Sequence, residues 1–123
     1  MPEPLAIPLR EAKAPLVLAL DLGTSGLRAF LFDAQARPIR SCIAYIDRAV
    51  RTSPAGEASV DADERVRDAG QAIDAVLVRA GRRAAEVSAV GVSTFWHSLV
   101  GIDARGRPTT RVLTWADTRP RDA

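Results

Sequence analysis

From Leu16 to Leu20 the chain runs Leu-Val-Leu-Ala-Leu without a polar break, as expected of a short strand covered on both faces. This predicts a first strand over residues 16–21. Apolar positions resume at Leu27, Ala29, Leu31 and Phe32 and again from 38 to 46, around the polar tip Asp33-Ala34-Gln35-Ala36-Arg37-Pro38. Strands over 27–33 and 38–46 would complete a three-stranded antiparallel meander. Arg48 to Ser59, centred on Ser53-Pro54-Ala55-Gly56, has no period and reads as an exposed loop. A helical period then begins: Asp61 stands as the cap with Glu64 three residues on. Val66, Ala69, Ile73, Val76, Leu77 and Ala80 recur at helical spacing until Gly81. Val87 to Ser93 returns to strand, and the crossover helix before it favours parallel pairing with the first strand. A second hairpin follows, from Leu99 to Asp103 and from Val112 to Trp115. Its Ile102-Asp103-Ala104 leading to Arg107-Pro108 echoes Phe32-Asp33-Ala34 leading to Arg37-Pro38. The echo reads as shared turn chemistry and not as a domain repeat.

With 123 residues, 47% of them hydrophobic, the chain can build one modest core, so a single domain is the ceiling. Residues 1–15, broken by Pro2, Pro4, Pro8 and Pro15 and carrying Glu3, Arg10, Glu11 and Lys13, lack the apolar core of a signal peptide and read as a flexible leader. No run approaches the roughly 20 apolar residues of a membrane span, and a cytoplasmic protein is expected. The net charge is +2, but acids and bases alternate along the chain, which argues against a nucleic-acid partner. Lys13 is the one lysine among 17 basic residues, which looks like a coding bias, and no function is assigned to it. Cys42 stands alone, so the chain has no disulfide framework, and a small buried strand residue is its simplest role.

Candidate chemistry begins where the first strand ends. Asp21-Leu22-Gly23-Thr24-Ser25-Gly26-Leu27-Arg28 puts a carboxylate at the open end of a strand, then two glycines around two hydroxyl residues in a turn whose N–H groups can converge on an anion. Strand pattern resumes at once, so the turn closes a hairpin; the Gly-Lys-Ser/Thr step of a P-loop and the three spaced glycines of a dinucleotide turn are both missing. Thr24, Ser25 and Arg28 could bond phosphate oxygens, and Asp21 the water shell of a metal ion. An ordinary flexible hairpin loop would have the same composition. Thr94-Phe95-Trp96-His97-Ser98 follows the parallel-type strand, at the carboxyl end where open α/β sheets take ligands, and an imidazole beside an indole suits a polyol or sugar. Packing at the rim of a core would equally explain His97. Trp115-Ala116-Asp117-Thr118-Arg119 offers an acceptor and a fork of donors for hydroxyl groups, or else a plain surface ion pair.

Taken in order, Asp21-Leu-Gly-Thr-Ser-Gly-Leu-Arg28, Gly91-Val-Ser-Thr-Phe-Trp-His97 and Trp115-Ala-Asp-Thr-Arg119 resemble the N-terminal portion of FGGY-family carbohydrate kinases, from about Leu16 to Arg119. The resemblance implies the α/β, ribonuclease H-like fold of actin-like ATPases, here in part: the meander, the crossover helix, the parallel strand and the second hairpin. It assigns residues 16–123 to an incomplete first domain. It further implies ATP and Mg²⁺ as cofactors and a small sugar, polyol or sugar acid as substrate. Asp21 would lie near Mg²⁺ and the transferred phosphoryl, with Gly23, Thr24, Ser25 and Arg28 lining the phosphate turn. Trp96, His97, Trp115, Asp117 and Arg119 would face the sugar. Phe95-Trp96 replace the Gln-Met usual in xylulose-type members, which leans away from a pentose and toward gluconate-like or uncharacterised members. The family's catalytic aspartate, second phosphate loop and adenosine segment have no counterpart here, so the 123 residues alone are expected to be inactive, and to self-associate or need a C-terminal half. A non-catalytic binding domain, or a remnant completed by a second chain, is the competing expectation. A two-metal nuclease would need carboxylate partners that Asp21 lacks.

Overall fold

The structure is a computed structural model that describes residues 6–122. Three antiparallel strands form first, β1 (Leu16–Leu22), β2 (Gly26–Phe32) and β3 (Pro38–Asp47), as the apolar runs predict. Two short strands, β4 (Arg51–Thr52) and β5 (Ala58–Val60), precede the helix α1 (Ala62–Ala80), and β6 (Val87–Thr94) and β7 (Val112–Leu113) follow it. The main sheet has the order β3-β2-β1-β6, with β6 parallel to β1; β4, β5 and β7 make a second, smaller sheet. Leu16, Leu18 and Leu20 of β1 and Leu27, Ala29 and Leu31 of β2 are buried, and they form one cluster with Ile39, Cys42 and Ala44 of β3 and Ala72, Val76 and Ala80 of α1. Cys42 is thus the small buried strand residue expected of it.

Capping sets the ends of α1. The Asp61 carboxylate accepts the Glu64 N–H at 2.9 Å, and Gly81, at φ +57°, donates its own N–H to the carbonyls of Leu77 and Val78. The two hairpin tips share their chemistry bond for bond. In one, Asp33 accepts from the N–H groups of Gln35 and Arg37 and from the Arg37 guanidinium; in the other, Asp103 accepts from Arg105, Arg107 and the Arg107 guanidinium.

Four expectations need correction. The inner face of α1 is Arg65, Asp68, Ala72, Val76 and Ala80, which leaves position 66 off the inward stripe and Val66 72% exposed, while the two charged residues on that stripe find hydrogen-bonding partners inside. Residues 48–59 are not all loop: Ala58, Ser59 and Val60 of β5 are buried between β4 and β7, and three residues are too few to show a period. The leader is docked over residues 6–15. Ile7 bridges Ile39, Ala12 is at the core, and the Lys13 N–H donates to Asp33 at 3.1 Å. Single bridges and a short 3-10 turn (Leu9–Glu11) need no apolar run, so proline punctuation does not exclude them. Pro2 and Pro4 lie outside the described residues. In the second hairpin Leu99–Asp103 is no continuous strand; it holds its partner through isolated bridges, Leu99 to Leu113 and Ile102 to Pro108.

Candidate functional site

β1 brings Asp21 to its carboxyl end, directly opposite Arg28 of β2, and the Arg28 guanidinium donates to the Asp21 carboxylate at 2.8 Å. Both side chains are about half exposed. Such a pair holds little stability, under about 1 kcal/mol, so either partner can be redirected to a ligand at small cost. Between them the turn is closed by the Gly23 N–H donating to the Gly26 carbonyl at 2.8 Å. Its carbonyls are held from inside: the Ser25 carbonyl accepts the Arg48 N–H at 3.1 Å and the Thr24 carbonyl accepts Nη2 of Arg65 at 2.8 Å. The N–H groups of Thr24 and Ser25 have no acceptor among the described residues, and Ser25 is exposed. Gly26 must be glycine, since a Cβ there would sit 2.7 Å from the Ile46 carbonyl oxygen. A turn with inward carbonyls and unpaired N–H groups can accept an anion.

β6 places the second constellation at the same end of the sheet, because Asp21 and Leu22 are in parallel register with Ser93 and Thr94. Trp96 and His97 follow immediately. His97 has φ +49°, a left-handed conformation unusual outside glycine, and its ring meets that of Trp96 edge to face at 6.2 Å. Trp96 is 77% exposed, an apolar surface left open beside a hydrogen-bonding ring.

The third constellation divides. Leu99 and Leu113 exchange both N–H···O bonds, at 2.9 and 2.8 Å in an antiparallel bridge, so His97, two residues before, and Trp115, two residues after, lie at the same end of that pair. Trp115 is exposed. Asp117 is not: its side chain is 1% exposed, and it accepts from the Arg119 guanidinium at 2.6 and 3.0 Å and from the Ala58 N–H at 3.1 Å. The Arg119 guanidinium above all holds the Asp117 carboxyl well below the usual carboxylate range, with burial opposing it. As it stands, Asp117 is a strut that fastens β5, with its acceptors already filled. Nothing in an apparently aperiodic loop signalled that the Ala58 N–H would need it.

An ionic group that sequence reasoning missed lies beneath the turn. Asp68, buried, takes Nε and Nη2 of Arg48, each at 2.9 Å, and Arg48 in turn pulls the Asp68 carboxyl below its ordinary value. Arg65 lies beside them at 6% exposure. Stepping back along α1 from Ala80, Val76 and Ala72 by threes and fours reaches Asp68 and Arg65, and that periodicity was the available signal. Among the described residues no cluster of three or more His, Cys, Asp or Glu could enclose a metal ion, and no helix is long and apolar enough to cross a membrane.

Comparison with known proteins agrees with this geometry. Residues 16–122 match the FGGY family of carbohydrate kinases, N-terminal domain. The chain is 32% identical to the xylulose kinase of Streptomyces coelicolor over 88% of its own length and 21% of that protein's. It is 30% identical to the glycerol kinase of Acaryochloris marina over 86% of its length and 21% of the relative's. The crystal structure of a xyloylose kinase from Brucella ovis superposes with a TM-score of 0.78 at 28% identity, covering 85% of this chain and 22% of that one. The chain therefore spans about a fifth of the length of the relatives it matches. It shares their actin-like, ribonuclease H-like fold, of which the β3-β2-β1-β6 sheet and α1 are the opening part. With the family match over residues 16–122, the chain belongs to the FGGY family of carbohydrate kinases as its N-terminal domain.

Proposed function

We propose that this chain forms the phosphate wall and part of the sugar wall of an ATP-dependent carbohydrate kinase. The observation that carries it is the turn at Thr24-Ser25, whose carbonyls are bonded inward while its N–H groups are free, next to Trp96 and His97 at the same sheet end. Gly23 and Gly26 let the backbone close around phosphate oxygens, the Thr24 and Ser25 N–H groups and hydroxyls donate to them, and Arg28 adds charge. Asp21 is a single carboxylate, too little for a protein cage but suited to Mg²⁺ that keeps its waters and shares the phosphates of ATP. When bound, MgATP supplies the phosphoryl group to be transferred. Trp96 and Trp115 cover the carbon skeleton of a sugar or polyol, His97 bonds a hydroxyl, and Asp117 and Arg119 brace the sugar side. The base that receives the substrate hydroxyl proton is assigned to no residue of this chain. This domain thus works by positioning and charge, which is most of what phosphoryl transfer asks of a protein.

Amide titration of the 123-residue chain tests this. MgATP should shift the Thr24, Ser25 and Gly26 resonances, and xylulose, glycerol or gluconate those of Trp96, His97 and Trp115. Asp21→Asn should remove the dependence of the first response on Mg²⁺. If millimolar MgATP moves no turn amide, the proposal fails. A chain that needs a partner polypeptide is the second reading, and the exposure of Val90 and Val92 favours it. They pair in register with the buried Leu18 and Leu20, yet α1 leaves them uncovered.

A further inference from the structure

We infer that Arg65 is a positioning residue of the phosphate turn, holding the Thr24-Ser25 peptide so that its N–H faces the ligand; this rests on the phosphate role proposed for that turn. A trans peptide is planar with its C=O and N–H antiparallel, so whatever fixes the Thr24 carbonyl also aims the Ser25 N–H. Nη2 of Arg65 donates to that carbonyl at 2.8 Å from the helix side, which leaves the Ser25 N–H pointing away from α1, where Ser25 is exposed.

Three features separate this from a counterion role for Arg65. Asp68, the nearby carboxylate, has both oxygens taken by Arg48 and makes no hydrogen bond to Arg65, and the one side-chain hydrogen bond Arg65 makes among the described residues is to the turn. Its Nη1 is buried without a partner among the described residues, and an orphaned donor is destabilising, so packing alone gives no reason for a guanidinium at this place. The Ser25 carbonyl, one peptide further on, is fixed by the Arg48 N–H, so the residue just after β3 and a side chain of α1 clamp consecutive carbonyls of the turn. Burial pulls the Arg65 guanidinium below arginine's ordinary value and Asp68 opposes that pull; the group stays charged at neutral pH, a fixed positive charge under an anion site.

The probe is inorganic tripolyphosphate, titrated into the 123-residue chain while the Thr24 and Ser25 amides and the Arg65 guanidinium resonances are followed. In the wild type these should shift together. Arg65→Met should weaken the apparent Kd about tenfold, as for loss of one hydrogen bond to a charged group. Arg65→Lys, which keeps the charge and a donor, should recover most of it. Val76→Ala, a buried change further along α1, should lower stability yet leave Kd within about twofold, as expected of a site it does not touch. Unchanged binding in Arg65→Met, or equal weakening in Val76→Ala, overturns the positioning role. Should Arg65→Met not fold, wild-type guanidinium resonances that stay still while the Ser25 amide moves overturn it equally. A wild-type turn that never responds overturns the phosphate role itself.

Discussion

Replacing Asp68 by asparagine removes one charge from a chain of contacts that runs from α1 to the tip of the turn. The carboxylate accepts two charge-assisted hydrogen bonds from Arg48, both at 2.9 Å, and sits buried beside Arg65. Each such bond contributes about 1.5–3 kcal/mol. The Arg48 side chain is 45% exposed and can turn to water once released, which returns about half of the gross loss by the same logic that makes exposed pairs weak. Arg65 has no such escape and would keep its charge with only the more distant effect of Glu64 to offset it. The net cost should be about 2–3 kcal/mol, typical of breaking a buried pair from one side and discounted for the exposed partner. In urea, with a slope of about 1.5 kcal/mol/M for a domain of this size, the midpoint should fall by roughly 1.5 M. The effect also has a pH signature. A carboxylate held below its ordinary value contributes stability that is complete above about pH 4 and is lost as pH falls through its folded-state value. The gap between wild type and variant should therefore be constant from neutral pH to about 5 and close in acid. The variant should still lose stability there, because Asp33, held low chiefly by Arg37, and Asp117, held low by Arg119, remain. A cost below about 0.5 kcal/mol, or a gap that persists unchanged at pH 3, would refute the reasoning, since both follow from the same buried ion pair.

Two further outcomes follow from the geometry. Ala36 holds φ +59° at the place in the first tip where the second tip has Gly106 at φ +74°, so Ala36→Gly should relieve left-handed strain and raise stability by about 0.5–1 kcal/mol, read as a rise of a few degrees in Tm; a fall in Tm would contradict it. In sedimentation velocity at several concentrations the 123-residue chain should self-associate, and Val90→Thr with Val92→Thr should shift it toward monomer. A wild-type chain that stays monomeric throughout would show that this face needs no cover.

How much of this could be read beforehand depended on whether a residue's role was local. β1, β2, β3 and β6 are apolar-rich segments, Asp61 and Gly81 cap by contacts within a few residues, and Asp33 and Asp103 organise their tips through neighbours two and four positions on. Each pattern is complete within one window of sequence, and each was legible. The nearness of Asp21 to the segment that carries His97 was legible for the same reason, since strand direction alone brings both to one edge of the sheet. Arg65, Asp68 and Asp117 answer to partners 20 to 59 residues away: Thr24, Arg48 and Ala58. An apolar residue announces burial by itself, but a buried charge is tolerated only with its partners, and for each of these three at least one partner lies outside any window of sequence. That is why a helix whose inner stripe begins with Arg65 and Asp68 looked, by hydropathy, as though it should turn Val66 inward. The cost of those buried charges also bears on function. A purely apolar stripe would have packed α1 against the sheet without touching the carbonyls of the turn; an arginine there reaches the Thr24 carbonyl from inside the core, and the position of a helix becomes coupled to the direction of one N–H group at the mouth of the site.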